Sequence, residues 1–253
     1  MKWISMLWAV AAVISEQAQG VVSLTGTRLV FDGRFHETSI EITNQDPTQA
    51  LVQAWLTSAR GQDDRSEHLP FVVTPHLVQL PPQGRHMLRI LYEGVGMPSD
   101  RESLLHLYVL QVPRRIEGRQ QLNIAVRQRI NVFYRPVGLS GDPADAAQAL
   151  TWQWSQSNRP ALEVRNPTPF HVSLHNLSIS GLALREDLMI APFAQHRLPL
   201  PAGTPATPGP LSFTALTDYG GSRPFCAQPE PDAPFNARPG MAGAPSPIGK
   251  CRP

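Results

Sequence analysis

Along residues 21–134 apolar and polar side chains alternate in short runs, the period of an extended backbone whose successive side chains face opposite ways. Seven strands are predicted there, over 21–28, 38–43, 51–57, 71–73, 86–92, 104–112 and 122–134. Turn-forming residues separate them, among them Asp32-Gly33, Asn44 to Pro47 and Pro81-Pro82. Ser39-Ile40-Glu41-Ile42 reads as a strand with one face in a core and one in water, whereas Leu104-Leu105 followed by the apolar run 107–110 reads as an interior strand. Strands at these intervals build an antiparallel β-sandwich. Arg135-Pro136 stops the last of them, and the small and proline residues of 138–149 place a domain boundary between 136 and 145. A second set follows over 151–154, 161–165, 171–179, 188–190, 196–198 and 211–216. The chain therefore reads as all-β, with one domain over 21–138, a second over 139–226 and a Pro/Gly-rich tail over 227–253. No stretch carries a helical period, and 97–105 reads as a turn leading into a strand.

The stretch LNIAVRQRINVFYRP, residues 122–136, changes character partway along. Leu122, Ile124 and Val126 share one face of the strand, and Arg127, Arg129 and Asn131 share the other. It reads as an ordinary sandwich strand, and also as one that lends an apolar ladder to an incomplete partner while its cationic end holds a terminal carboxylate.

The first residues, MKWISMLWAVAAVISEQAQG, combine Lys2, an apolar run from Ile4 to Ile14 and small residues near Ala18 and Gly20. Residues 1–20 are expected to be a secretory signal peptide. The apolar run is too short for a membrane span, so no stable membrane insertion is expected. Export makes a disulfide between Cys226 and Cys251, the only two cysteines, chemically reasonable; in the loop-entropy account it would stabilise the chain by roughly 3 kcal/mol. The pair is not a CxxC redox motif. A net charge of +2 over 253 residues does not suit a nucleic-acid binder. The local arginines 114, 115, 119, 127, 129 and 135 read both as a solvated edge that resists aggregation and as an anion site.

Enzymatic chemistry has little support in these residues. His171 and His175 share a strand face but stand far apart along it, and no HExxH or cysteine-histidine set accompanies them, so no metal is expected. There is no GxSxG motif, no positioned acidic pair and no phosphate loop, so neither catalytic residues nor a cofactor are assigned. Trp152 and Trp154, alternating on one strand face, read as sandwich core in preference to a ligand platform.

Taken in order, GTRLVFDG (26–33), IEITNQD (40–46), FVVTPHLVQLPP (71–82), LRI (88–90), PSDRESLLHLYVLQVP (98–113), LNIAVRQRINVFYRPVGL (122–139), NPTPFHVSLHNL (166–177) and MIAPFA (189–194) resemble the periplasmic pilus-assembly chaperones. The resemblance spans roughly 21–221. It implies two immunoglobulin-like domains set at an angle, a periplasmic location, and capture of fimbrial subunits that lack a strand, with delivery to an outer-membrane usher. Leu122, Ile124 and Val126 match the donor strand of the family. Arg28 matches its carboxylate-binding arginine, whereas the partnering lysine falls at Asn131, which can donate a hydrogen bond but brings no charge. Arg129, on the same strand face about 6.6 Å away, is the nearest replacement. Arg101, Glu102 and Arg135 are expected at the domain junction. The short interval 113–121 resembles the short-loop branch of the family, whose clients form pili or related fibres. The alternative reading is a secreted β-sandwich adhesion or fibre protein, which would need a groove or extension for its own neighbours.

Overall fold

A computed structural model describes residues 22–59, 69–113, 124–155, 160–201, 209–229 and 233–240. The expected leader, Leu122, the interval 114–121 and Cys251 lie outside them. Cys226 is disulfide-bonded.

The first domain is built from β1 (Val22–Leu24), β2 (Arg28–Asp32), β3 (Glu37–Asn44), β4 (Ala50–Ser58), β5 (Phe71–Thr74), β6 (Leu77–Leu80), β7 (Arg85–Tyr92), β8 (Ser103–Pro113) and β9 (Val126–Arg135). One sheet has the order β1-β3-β7-β5, and the sheet facing it β2-β9-β8-β4-β6. Ile40 and Ile42 on β3, Leu105, Leu107 and Val109 on β8, and Ile130 and Val132 on β9 fill the space between them, as the alternation requires. The single strand expected over 21–28 is instead two strands in different sheets. The chain crosses over at 25–27, where a Cβ on Gly26 would stand only 3.2 Å from the Arg28 carbonyl oxygen. β2 then runs parallel to β9, with Arg28 beside Asn131. Phe31, Phe71, Tyr92 and Tyr134 cluster at the end of this core nearest Arg135, with ring centroids 4.7 to 6.2 Å apart.

Beyond a short helical turn (143–149) the second domain contains β10 (Thr151–Ser155), β11 (Ala161–Arg165), β12 (Val172–Ile179), β13 (Leu182–Ile190), β14 (Gln195–Pro199), β15 (Leu211–Leu216), β16 (Ser222–Ala227), β17 (Phe235–Asn236) and β18 (Arg238–Pro239). Its sheets have the orders β14-β11-β10-β17 and β13-β12-β15-β16-β18. Trp152 and Trp154 are buried between them, Trp152 against Phe213, which stacks on Phe225. β17 pairs with β10 and β18 with β16, so part of the stretch read as a loose tail completes both sheets. Phe235 and Ala237 supply the reason, being apolar residues spaced two apart that enter the core.

The two sandwiches share a device that no motif in the sequence announces. Asn44, at the end of β3, and Asn166, just after β11, are wholly buried. Asn44 donates from Nδ2 to the carbonyls of Thr48 and Pro81 and accepts at Oδ1 from the Asp46 N–H, while its own N–H bonds the Gly84 carbonyl. Asn166 repeats this with Phe170, Ala191, Thr168 and Ala194. Each amide thus ties two turns to the core and satisfies backbone groups that burial would otherwise leave unpaired. Replacing Asn44 or Asn166 by Ala is expected to cost about 2–4 kcal/mol, through lost bonds and orphaned carbonyls. Urea denaturation followed by tryptophan emission checks this, with Asn166→Ala shifting the transition reported by Trp152 and Trp154.

Candidate functional site

β9 is paired unequally on its two sides. β8 runs antiparallel beside it from Gln111 opposite Val126 to Ser103 opposite Tyr134. On the other side β2 pairs only with Asn131 to Arg135, and among the described residues no strand continues that ladder along Val126 to Ile130. Half of the strand therefore offers free backbone donors and acceptors to an incoming chain.

The side chains fit that edge. Ile130, Val132 and Tyr134 point into the core, and Val126 and Ile124 continue the same face beyond its covered part, with Ile124 62% exposed. Among the described residues pairing with β8 starts at Val126, opposite Gln111, and Ile124 and Ala125 precede it outside the strand. Gln128 interrupts the apolar face and donates from Nε2 to the Val22 carbonyl at 2.6 Å, tying β9 to the facing sheet where the core ends. On the opposite face Arg127 and Arg129 are exposed, with the Arg127 guanidinium 5.2 Å from the Tyr108 ring centroid.

Arg28 and Asn131 are neighbours across the parallel pair, with Cα atoms in register. The Arg28 guanidinium lies 5.6 Å from the centroid of the Phe133 ring. Burial pulls its pKa below the ordinary value, offset in part by the charges of Asp218 and Glu102. Among the described residues it makes no ion pair or side-chain hydrogen bond. It is thus a partly desolvated cation with five donors to offer an anion. Arg129 is brought no closer, standing two residues along β9 opposite Tyr108.

One residue pair below Phe133, Arg135 joins the domains. Its Nε donates to Glu102 Oε1 at 2.7 Å, and its two terminal nitrogens donate to the Asp218 carboxylate at 2.8 and 3.1 Å. Burial alone would lower the pKa of Arg135, but the bonds and charges of Asp218 and Glu102 outweigh it and hold it above the ordinary value. Glu102 is 3% exposed, and its other oxygen accepts the His171 N–H at 2.8 Å, with Nδ1 of His171 at 3.3 Å. Arg101 is outside this network. It pairs with Asp100 and lays its guanidinium 5.2 Å from the Phe193 ring centroid, a peripheral contact with the second domain. Asp218 and His171 were not singled out as junction residues from sequence. Asp218 stands in an ordinary-looking turn, Thr217 to Gly221, and only the approach of the domains gives it Arg135 as a partner. Between the domains is a cleft of about 450 Å³ whose walls include Arg28, Phe133, Arg135, His171, Asp218 and Tyr219.

Known proteins resemble the chain over almost all of this architecture. Residues 21–140 match the family described as "Pili and flagellar-assembly chaperone, PapD N-terminal domain", and 145–227 match "Pili assembly chaperone PapD, C-terminal domain". The chaperone protein FimB/FhaD of Bordetella pertussis is 34% identical over 230 residues, covering 87% of this chain and 92% of that protein. The chaperone protein LpfB of Salmonella typhimurium is 31% identical, covering 86% and 93%. Among solved structures, the Escherichia coli chaperone DraB superposes with a TM-score of 0.68 at 33% identity over 83% of this chain and 96% of that one. The SafB chaperone of Salmonella enterica, solved in complex with the SafA pilin, is represented by a match with a TM-score of 0.69 at 28% identity, covering 82% and 95%. The chain belongs to the PapD family of pilus-assembly chaperones.

Glu102→Gln leaves Arg135 with Asp218 as its remaining carboxylate and is expected to weaken the junction by about 2–4 kcal/mol, as removal of one charge from a buried network does. Calorimetry should then resolve separate unfolding of the two domains where the parent unfolds in a more cooperative transition.

Proposed function

We propose that this chaperone works in the periplasm, capturing fimbrial subunits that lack a strand and passing them to an outer-membrane usher. The observation that carries the reading is the edge of β9 left open among the described residues, apolar on its core-side face at Ile124 and Val126 and ending beside the guanidinium of Arg28, which has no ion pair among them. A subunit missing a strand exposes an apolar groove and two rows of unpaired backbone groups, both costly in water. An added strand offsets both costs, since main-chain bonds give affinity and alternate side chains fill the groove. Leu122, outside the described residues, extends the same ladder by two positions. Each apolar side chain fully buried contributes roughly 1.5–3 kcal/mol. The complex would form without a nucleotide or metal, on binding energy alone.

Arg28 sits where a chain lying along β9 would present its terminus, and we assign it as the cation that holds the subunit's terminal carboxylate. That contact sets the register, because a slip of one residue would turn every groove-facing side chain to the wrong face. Asn131 supplies a polar contact beside it, and Arg129 a more distant charge. Complexes between chaperone and pilin in this family support the choice of partner.

Ile124→Asp should lower affinity for a cognate subunit at least a hundredfold, because a carboxylate would enter an apolar groove, while circular dichroism shows an unchanged fold. Equal binding by the folded variant would sink the donor-strand assignment. Arg28→Ala should cost about 1.5–3 kcal/mol of binding, the range of charge-assisted bonds, and Asn131→Lys should strengthen capture. Titration of purified chaperone with refolding subunit measures all three, with Arg34→Ala as an exposed control.

A further inference from the structure

Of the large apolar side chains in the described residues, Tyr219 is the most exposed, at 101% of its reference surface. It is not on a loose loop. Asp218 beside it is held by both terminal nitrogens of Arg135. The Thr217 N–H bonds the Gly221 carbonyl at 2.8 Å and the Gly220 N–H bonds the Thr217 carbonyl at 3.0 Å, closing the turn between β15 and β16. Gly220 has φ +77°, a conformation that favours glycine, and a Cβ there would stand 3.6 Å from the hydroxyl of Thr27. The turn of the second domain therefore sits against the first domain immediately before Arg28, and Tyr219 lines the same cleft as Arg28.

An aromatic ring carried on a fixed backbone turn has an apolar face to bury and only two side-chain torsions to fix on doing so. What it meets follows from the charge on the neighbouring wall. A carboxylate on Arg28 is the end of a chain, and the side chain next to that carboxylate must lie in the mouth of the cleft, where Tyr219 is the aromatic residue contributed by the turn. We infer that Tyr219 reads the last side chain of the bound subunit, favouring an apolar or aromatic residue at the terminus. This inference rests on the assignment of Arg28 as the carboxylate anchor. It gives the second domain a part in client selection beyond carrying the junction, and it explains why Arg135 holds the Asp218 turn as well as Glu102.

The test uses the full-length mature chaperone and synthetic peptides of one alternating apolar–polar sequence that end in Phe or Gly as free acids, together with the Phe peptide as an amide. By calorimetric titration the parent should prefer the Phe acid over the Gly acid by up to about tenfold, the range of an aromatic pair. Tyr219→Ala should erase that preference while leaving the Gly acid bound as before, and Tyr219→Phe should keep it. Arg28→Ala should bring the Phe acid down to its amide and weaken the Gly acid as well. A preference that survives Tyr219→Ala, or an equal loss for both acids in that variant, overturns the reading of Tyr219 and leaves the Arg28 anchor standing. If the parent binds acid and amide equally, the anchor itself fails, and the inference with it. Melting curves of the variants establish that each is folded.

Discussion

Arg135 ends the strand on which the proposed chemistry depends, and its bonds to Glu102 and Asp218 hold the two domains together at that point. A β-sandwich by itself would leave β9 as an ordinary strand near an edge. Fastened at its C-terminal end to a second domain, the strand instead becomes one wall of a cleft, with Arg28, Phe133 and Tyr219 disposed around it. The ions of the junction are mutually compensated. Arg135 loses water on burial but gains two carboxylates, and Glu102 accepts from Arg135 on one oxygen and from the His171 backbone on the other. Removing Arg135 would leave the buried Glu102 without its cation, and removing Glu102 would leave Arg135 one carboxylate where it had two, which is why such networks are costly to break even where their net contribution to stability is small.

Arg28 is the contrasting case. It stands one strand away from Arg135, feels the same carboxylates at a distance, and is desolvated without an ion-pair partner among the described residues. A folded chain tolerates a partly buried, unpaired guanidinium at some cost to its own stability. The stacking of Arg28 above Phe133 recovers part of that cost, and the remaining donors are left for an anion. Two arginines of similar burial thus have opposite settings, one satisfied by carboxylates within the fold and one without an ion-pair partner among the described residues.

An open edge such as that of β9 is also a hazard, since any unfolded chain can pair with it. The exposed arginines 127 and 129 on the outer face counter this, placing like charges where two copies of the strand would stack. In the proposed role this leaves the edge available to a chain that brings an apolar groove for the inner face while disfavouring a second copy of the strand.

Much of the fold was legible as a pattern. Period-two alternation in 39–42 and the apolar run around Leu105 to Leu110 identify strands because each position reports its own burial, and Trp152 and Trp154 enter the core for the same reason. Positions where apolar residues are sparse were less legible. β17 and β18 rest on Phe235 and Ala237 in a stretch rich in proline and glycine, and the break between β1 and β2 rests on a single Gly26. The sequence alone determined the all-β architecture in two units, the apolar face of Ile124 and Val126, and the presence of Arg28 and Asn131 as the polar residues near its end. Tertiary structure decided that β2 stops short of Ile130, that among the described residues the rest of that edge is unpaired and Arg28 has no ion-pair partner while Arg135 has two, and that the turn of Asp218 and Tyr219 reaches the cleft. The physical reason is distance along the chain. Alternation records what each residue does to its own strand, whereas a free ladder, an unpaired charge and a contact between residues 135 and 218 exist only once separate segments are brought side by side.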